Sequence, residues 1–416
     1  MKILIYGAGV IGQIYAARLH EAGHDVTVLA RHRTLETLAR DGITLVNGAL
    51  VSGALVSGAT SGPVRVNVTG HVGPDSSFEL ALVTVRRDQV GEILPAMAEL
   101  QASHMVMMQN NSLELASVGD IVGRDRTLFG FPGVGGYRRD DGAIEYIEIP
   151  QQPTTLGRQQ GREEIVGEVF KSAGFAVATT ADMDGWLKTH AVFIAAICGS
   201  INSCGGDAVK LAADRERVAT MIRSAGEGFR ALTSKGVAVQ PRPLRMIFTV
   251  VPRMFAVRYW QGQLRGTVGT LALAPHSKVT KDTELPVLYR DVQKLVGGTV
   301  PTPHLDKLLS LTPLLCFAAS RAFSMVTSRG IRNDSLNRKQ ILQIGLVLFA
   351  LTLLAAARST SGLDLHGEHP RVGCGPDRRG KAGSRIPRSG TRSLRPGRSA
   401  GQLARHARGK ACGMSS

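Results

Sequence analysis

A glycine-rich turn directly after the first apolar segment is the feature that most constrains the fold. Residues 2–6 read as a short strand, and the turn Gly7-Ala8-Gly9-Val10-Ile11-Gly12 follows at once. Residues 11–22 then carry the apolar spacing of a helix, and residues 26–29 read as a second buried strand. This order is a β-α-β unit with the length expected for a parallel sheet. It predicts an N-terminal dinucleotide-binding domain of the Rossmann type.

The turn itself predicts how a dinucleotide would be held. Gly7 would let the chain turn sharply off the strand, Gly9 would let the backbone approach the pyrophosphate, and Gly12 would let the helix lie close to the strand. The helix N-terminus would offer free N–H groups and the positive end of its dipole. We therefore expect the whole turn, from Gly7, Ala8 and Gly9 through Val10, Ile11 and Gly12, to bind the cofactor. The alternative is a tight glycine-rich turn without a ligand.

Arg31, at the end of the second strand, predicts which dinucleotide binds. Enzymes that use NAD usually place an acidic residue there, which binds the ribose, whereas a guanidinium suits the 2′-phosphate of NADP. Arg33 lies close enough in sequence to assist. The expected cofactor is therefore NADP(H), and the alternative is that Arg31 is a solvated surface arginine.

The sequence pattern of the chain changes from strand-like to helical near residue 178. Further strands are expected at 79–85, 104–108, 126–131 and 143–149, and the Gly- and Val-rich segment 44–72 reads as β-hairpins or loop. Helical patterns dominate afterwards, at 189–203, 207–235 and 284–298. The fold class is thus α/β, with an N-terminal Rossmann domain (1–178), a helical substrate or dimerisation domain (179–312), an apolar helical extension (313–357) and a disordered basic tail (358–416).

The extension and the tail allow several interpretations. The apolar segment 341–357 would span roughly 25 Å, short for a bilayer core of ~30 Å, so a membrane span and a buried or interfacial helix both stay open. Residues 358–416 hold thirteen Lys/Arg and three Asp/Glu, and the resulting +10 leaves +7 of the net charge of +17 for the rest. They contain no aromatic residue except histidine. Disorder and an out-of-frame extension both fit this composition.

Charge and cysteine content argue against several classes of protein. The basic excess belongs to the tail, which lacks the stacking aromatics of single-strand binders, so no specific nucleic-acid partner is expected. The five cysteines are scattered and suggest neither a disulfide framework nor a zinc site, and no bound metal is expected. Strand and turn occupy the first residues, where a secretory signal would lie. These features favour a cytoplasmic protein.

Four segments of the sequence, in order, carry a family resemblance. They are the opening strand and turn at 2–12, Leu-Val-Thr-Val-Arg-Arg-Asp-Gln-Val at 82–90, Met-Met-Gln-Asn-Asn at 107–111 and Asp-Met-Asp-Gly-Trp-Leu-Lys at 182–188. A weaker match is Asp-Thr-Glu-Leu at 282–285, followed by residues 298–303. Over about residues 1–312 the chain resembles the ketopantoate reductase (2-dehydropantoate 2-reductase) family.

The resemblance implies roles for four side chains. Lys188 would bind the substrate and act as the catalytic acid, because an ammonium can stabilise and protonate the oxygen of a ketone that receives hydride. Asn110 would lie between nicotinamide and substrate, and Arg86 would keep a positive charge near the cofactor or the substrate carboxylate. Glu284 would contact the substrate. The alternatives are a helix-surface lysine, a helix-capping asparagine and a solvated glutamate.

The sequence also departs from the family pattern. Val192 stands where the family usually has an asparagine one helical turn after the lysine, and Asn111 replaces a usual glycine.

The leading hypothesis is NADPH-dependent reduction of a 2-oxo acid, ketopantoate to pantoate or a close analogue, as in pantothenate biosynthesis. A dehydrogenase for another small acid, with Val192 shaping an apolar pocket, is a second hypothesis. An NADP-binding sensor, membrane-attached through 341–357 and with little catalysis, is a third, and a nucleic-acid protein is a distant fourth. A homodimer stays open.

Overall fold

The computed structural model of the chain describes residues 1–51, 54–60, 62–73, 75–110, 115–298 and 300–310. All of them belong to one compact unit, Met1–Leu336. Asn111, the apolar segment 341–357 and the basic tail 358–416 lie outside the described residues, so the expectations for them stay predictions. No helix in the described ranges is long and apolar enough to cross a membrane.

The described strands form two sheets. In chain order they are β1 (Lys2–Tyr6), β2 (Asp25–Leu29), β3 (Leu45–Val51), β4 (Ala54–Thr60), β5 (Asn67–Thr69), β6 (Ser77–Val83), β7 (Gln101–Met107), β8 (Thr127–Phe131), β9 (Val134–Arg138), β10 (Ile144–Glu148), β11 (Thr154–Gly157) and β12 (Val177–Thr180). The larger sheet has the order β12-β11-β8-β7-β6-β1-β2-β5, and β4-β3-β10-β9 form the smaller one. Every pairing in the larger sheet is parallel except that of β11 with β8.

The described helices alternate with the strands at first and then follow one another. They are α1 (Val10–Glu21), α2 (His32–Asp41), α3 (Val90–Glu99), α4 (Leu115–Val122), α5 (Arg162–Ser172), α6 (Met183–Ser203), α7 (Ala208–Ala213), α8 (Arg215–Ser234), α9 (Arg242–Thr249), α10 (Arg253–Arg265), α11 (Ala274–Thr280), α12 (Glu284–Val296) and α13 (Pro303–Ser310). A 3-10 turn covers Arg87–Gln89, and a π-helix covers Val268–Leu273.

The architecture confirms the predicted fold class, a parallel α/β sheet followed by helices. The predicted strands at 79–85, 104–108, 126–131 and 143–149 correspond to β6, β7, β8 and β10, and segment 44–72 contains β3, β4 and β5. The predicted change from strands to helices near residue 178 corresponds to the end of β12 and the start of α6. The division into a domain 1–178 and a domain 179–312 stays a prediction, because both lie within one compact unit.

Two apolar cores fix these elements. In the first, fully buried side chains of β1 and β6, among them Ile3, Ile5, Leu80 and Leu82, pack against α1. A strand with both faces covered by helices needs such an unbroken apolar run, which is the run that the sequence shows. In the second, α6 packs against α8 and α12. Asp182 caps α6, since its carboxylate accepts the N–H of Gly185 at 2.8 Å.

Arg87 connects the segment after β6 to the helical part of the chain. Its Nη2 lies 3.1 Å from Oδ2 of Asp291 on α12, and both side chains are mostly buried. Burial raises the pKa of the Asp291 carboxyl, and the nearby guanidinium of Arg87 opposes that rise. The pair therefore holds a carboxylate in an environment that would otherwise favour its neutral form.

We expect Arg87→Ala to lower the free energy of unfolding by about 2 kcal/mol, because it leaves the buried carboxylate of Asp291 without its cation. Arg124→Ala is the matched control, because its pair with Asp120 is largely exposed and should contribute under about 0.5 kcal/mol. Denaturant unfolding of the two variants, with Arg87→Ala/Asp291→Asn closing a double-mutant cycle, measures the difference. Equal stabilities for the two single variants would contradict the assignment.

Candidate active site

One large cavity is lined both by the glycine turn and by several of the helices. Its volume is about 1760 Å³. Gly9, Val10 and Ile11 line one part of it, together with residues that follow β6 and β7. Residues of β9, β12, α6, α9, α10, α11 and α12 also line it, and the π-helix contributes Val268, Thr270, Ala272 and Leu273. Extra-wide helical turns of this kind often occur at functional sites.

The glycine turn has the geometry that a dinucleotide requires. Gly7 has φ +119°, which L side chains rarely adopt. A Cβ at Gly12 would lie 2.0 Å from the carbonyl oxygen of Gly7 and 2.6 Å from Oγ1 of Thr84. Gly9 differs, since a Cβ there would meet nothing within 4 Å. The first turn of α1 contains no acidic residue and no side-chain cap, so its N–H groups are available to an anion.

Asn110 and Glu284 meet at the cavity wall although 174 residues separate them. Nδ2 of Asn110 donates to Oε1 of Glu284 at 3.3 Å, and the backbone N–H of Arg87 donates to the same oxygen at 3.4 Å. Both side chains are buried. Oδ1 of Asn110 has no hydrogen-bond partner among the described residues. A buried amide oxygen of this kind is suited to accept a hydrogen bond from a ligand.

Arg86 lies in the cavity wall with its charge already compensated. Its Nε and Nη2 each donate to one carboxylate oxygen of Asp88 at 3.0 Å. That bidentate pair raises the pKa of Arg86, and the charge of Glu284 acts in the same direction. The predicted positive charge near the cofactor is thus present, but Asp88 shares it.

Lys188 lies on α6 outside the set of residues that line the cavity, and its ammonium pairs with the carboxylate of Asp184. A helix turns about 100° per residue. Lys188 is two residues from Trp186 and from His190, which do line the cavity. Its Cα therefore lies about 160° around the helix axis from the Cα atoms of both. Among the described residues, the partner of the Lys188 ammonium is Asp184, and no hydrogen bond or ion pair joins Lys188 to Asn110 or Glu284.

Val192 shares the side of α6 that carries Lys188. It is fully buried, and a Cβ at Gly228 of α8 would lie 2.4 Å from its Cγ1. Leu305 of α13 contacts the same glycine. Val192 thus packs in the helical core and does not line the cavity, so it does not shape an apolar pocket as the second sequence hypothesis supposed.

Aromatic rings form the wall that α6 presents to the cavity. The His190 ring lies 4.0 Å from the ring of Phe131, 5.2 Å from that of Trp186 and 5.8 Å from that of Phe193, measured between centroids. All four residues line the cavity. Burial lowers the pKa of His190 to about 3, and the neighbouring His276 acts in the same direction. The imidazole is therefore neutral at ordinary pH.

Arg31 occupies the predicted position but is not among the cavity-lining residues. It follows the end of β2, whose Leu29 pairs with Tyr6 of β1, and it is exposed. Its backbone carbonyl accepts the N–H of Thr34 at the start of α2. The backbone of Arg31 thus lies close to the end of β2, the strand that pairs with β1.

Three contributors to the site are not predicted by the sequence. Arg87 lies within the matched segment 82–90, but the resemblance implies no role for it, and no motif points to His190 or His276. Trp186 and His190 follow the spacing i, i+4, which places two residues on one face of a helix, and this was the available signal. No such signal links His276 to His190, because 85 intervening residues make their contact purely tertiary.

Fold and site together define a class of protein, a Rossmann-type oxidoreductase with a helical second part. Residues 3–161 match the sequence model of the family described as ketopantoate reductase PanE/ApbA. A 2-dehydropantoate 2-reductase of Pyrococcus horikoshii is 23% identical over 255 residues, which cover 59% of this chain and 78% of that protein. The resemblance seen in the motifs is confirmed. The likeness to the ketopantoate reductase family is thus carried by the N-terminal residues 3–161.

Solved structures agree on the fold. The crystal structure of a 2-dehydropantoate 2-reductase from Geobacter metallireducens superposes with a TM-score of 0.58 at 16% identity, covering 75% of this chain and 99% of that one. A D-mandelate dehydrogenase, solved with NADH and anilino(oxo)acetate, superposes with a TM-score of 0.55 at 12% identity. The match covers 75% of this chain and 97% of that one. At such identities the likeness concerns the fold alone.

We expect Gly9→Ala and Gly12→Ala to fail in different ways. The Cβ at Gly12 would collide with backbone, so the free energy of unfolding should fall by about 3 kcal/mol. The Cβ at Gly9 meets open space, so stability should change by less than about 0.5 kcal/mol while NADPH affinity falls about tenfold or more. Denaturant unfolding and fluorescence titration with NADPH measure both. Unchanged NADPH binding by Gly9→Ala would argue against a pyrophosphate contact.

The neutral state of His190 predicts a pH dependence of stability. Its folded-state pKa of about 3 lies below the unfolded value near 6.5, so the unfolded chain binds the extra proton and stability falls as pH drops from 6.5 towards 3. His190→Phe removes this contribution. Between pH 4 and 6 its unfolding free energy should change with pH less steeply than that of the wild type, by about 1.4 kcal/mol per unit. Parallel pH profiles would show that the imidazole is not held neutral.

Proposed function

We propose that the protein catalyses the NADPH-dependent reduction of a small 2-oxo acid, ketopantoate or a close analogue. The observation that carries the proposal is the meeting of Asn110 and Glu284 in the wall of a cavity that also reaches the glycine turn. A polar pair beside a dinucleotide turn is what a hydride-transfer site needs on its substrate side. The named activity of the Pyrococcus horikoshii relative supports the reaction class.

The residues present fit a bound dinucleotide. Open space lies over Gly9, the N-terminus of α1 has free donors, and Oδ1 of Asn110 is available to accept a hydrogen bond. NADPH, when bound, would supply the hydride that adds to the ketone carbon. Asn110 would orient the reacting groups, and its amide is itself fixed by Glu284. Arg31, beside the strand that precedes the turn, is the proposed partner of a 2′-phosphate.

The oxygen of the reduced ketone must also receive a proton. We propose Lys188 as the donor, on the strength of the family resemblance. To act, its ammonium must leave Asp184 and turn towards the substrate, which is an exchange of one carboxylate for another. His190 lies closer to the cavity, but a neutral imidazole can donate a hydrogen bond and has no readily released proton. The chemistry therefore favours the lysine as the acid.

The full-length protein should oxidise NADPH in the presence of ketopantoate or a related 2-oxo acid, and Lys188→Met should lower kcat about 100-fold or more with NADPH binding unchanged. The loss of NADPH absorbance over a panel of 2-oxo acids gives the rate. Lys210→Met is the matched control, because Lys210 is an exposed helix lysine that also pairs with a nearby aspartate.

Two results would contradict the proposal at different points. If Lys188→Met keeps most of its turnover, the lysine is not the acid, although the reaction class stands. If the wild-type protein binds NADPH tightly and turns over no 2-oxo acid, the reaction itself is wrong and an NADP-binding sensor is favoured.

A further inference from the structure

Four large apolar side chains are exposed on adjoining helices, away from the residues that line the cavity. Met246 and Val250 belong to the end of α9, and Met254 and Phe255 to the start of α10. Their exposed fractions are 40%, 64%, 61% and 59%. Single exposed apolar residues are ordinary, but four within ten residues mark an interaction site. We call these four, with the arginines described next, the α9–α10 surface.

The same surface is strongly basic. Arg242, Arg245, Arg253 and Arg258 are exposed, and each lies within four residues of an exposed apolar side chain. Between Glu227 and Asp282 the sequence contains nine Lys/Arg and no Asp/Glu. From α8, Arg215 and Glu216 reach the start of α10, and their charges offset each other. The surface thus combines exposed apolar groups with uncompensated positive charge.

The opposite faces of these helices hold the surface in place. Phe248 of α9 and Ala256, Val257 and Trp260 of α10 are buried in the helical core. The exposed side chains are therefore the outer face of two anchored amphipathic helices, and not the result of a loose segment.

The charge decides what this surface binds. A second copy of the chain, docked through the same surface by a two-fold axis, would bring arginines against arginines. An anionic bilayer instead offers headgroup phosphates to the guanidiniums and an acyl boundary to the methionines and Phe255. We propose that the α9–α10 surface binds peripherally to membranes that contain anionic phospholipid. Both helices would lie in the membrane interface, parallel to its plane.

The test is co-sedimentation of the full-length protein with phosphatidylcholine vesicles, with and without about 30% phosphatidylglycerol. We expect binding only to the anionic vesicles, weakened by salt. Each arginine near an anionic surface contributes about fivefold in affinity. Arg245→Glu/Arg253→Glu should therefore lower partitioning about tenfold or more, and Met254→Ser/Phe255→Ser should lower it too. Ile121→Ser/Ile165→Ser, at exposed apolar positions elsewhere, should leave it unchanged.

A second measurement, tryptophan quenching by lipid, detects contact of the α9–α10 surface itself with the bilayer. It does so even if the basic tail also binds the vesicles. A tryptophan at Phe255→Trp should be quenched by brominated lipid tails in anionic vesicles, whereas one at Ile165→Trp should not. Equal partitioning of all variants together with no quenching at position 255 overturns the proposal. Loss of self-association in Arg245→Glu/Arg253→Glu, seen by sedimentation velocity without any vesicle binding, also overturns it and assigns the surface to a second copy.

Discussion

The carboxylate of Glu284 is the point on which the candidate site depends. It accepts the side-chain amide of Asn110, at the end of β7, and the backbone N–H of Arg87, after β6. It lies at the first residue of α12, so one side chain joins two strand ends of the parallel sheet to the helical part of the chain. The Arg87–Asp291 ion pair reinforces the same connection about two helical turns further along α12. Ligands of open parallel sheets bind at the carboxyl ends of the strands, and here that edge is completed by a helix from the distant second half.

Much of this arrangement could be predicted from local sequence, because its causes are local. The turn from Gly7 to Gly12 follows a strand and starts a helix, and the closest contact of a Cβ at Gly12 would be with the backbone oxygen of Gly7, five residues away. The fold class followed in the same way, from apolar runs and helical spacing. β9, β11 and β12 escaped prediction because they are short and lack a strong alternating pattern. The π-helix in the cavity wall escaped because no sequence signal distinguishes it from an ordinary helix.

The substrate side could not be predicted from position in a motif alone. A motif matched along one helix fixes spacing, but the face that meets the cavity depends on how that helix packs. Gly228 of α8 has no side chain, so Val192 of α6 packs closely against it and that side of α6 belongs to the core. The side of α6 with Trp186 and His190 lines the cavity. Val192, in place of an asparagine, predicts an apolar site. The site does have an apolar wall, but aromatic rings on the other face of α6 form it.

This packing also bears on the chemistry that the site can perform. The rings around His190 bury it, and burial keeps its imidazole neutral. An apolar aromatic wall strengthens any hydrogen bond or charge interaction that a substrate makes beside it, because the local dielectric constant is low. A carboxylate substrate needs a cation, and the lysine of α6, Lys188, is paired with Asp184. If Lys188 is the acid, a substrate carboxylate would compete with Asp184 for its ammonium. Substrate binding would then bring the proton donor to the ketone oxygen, and in the absence of substrate the ammonium would stay with Asp184.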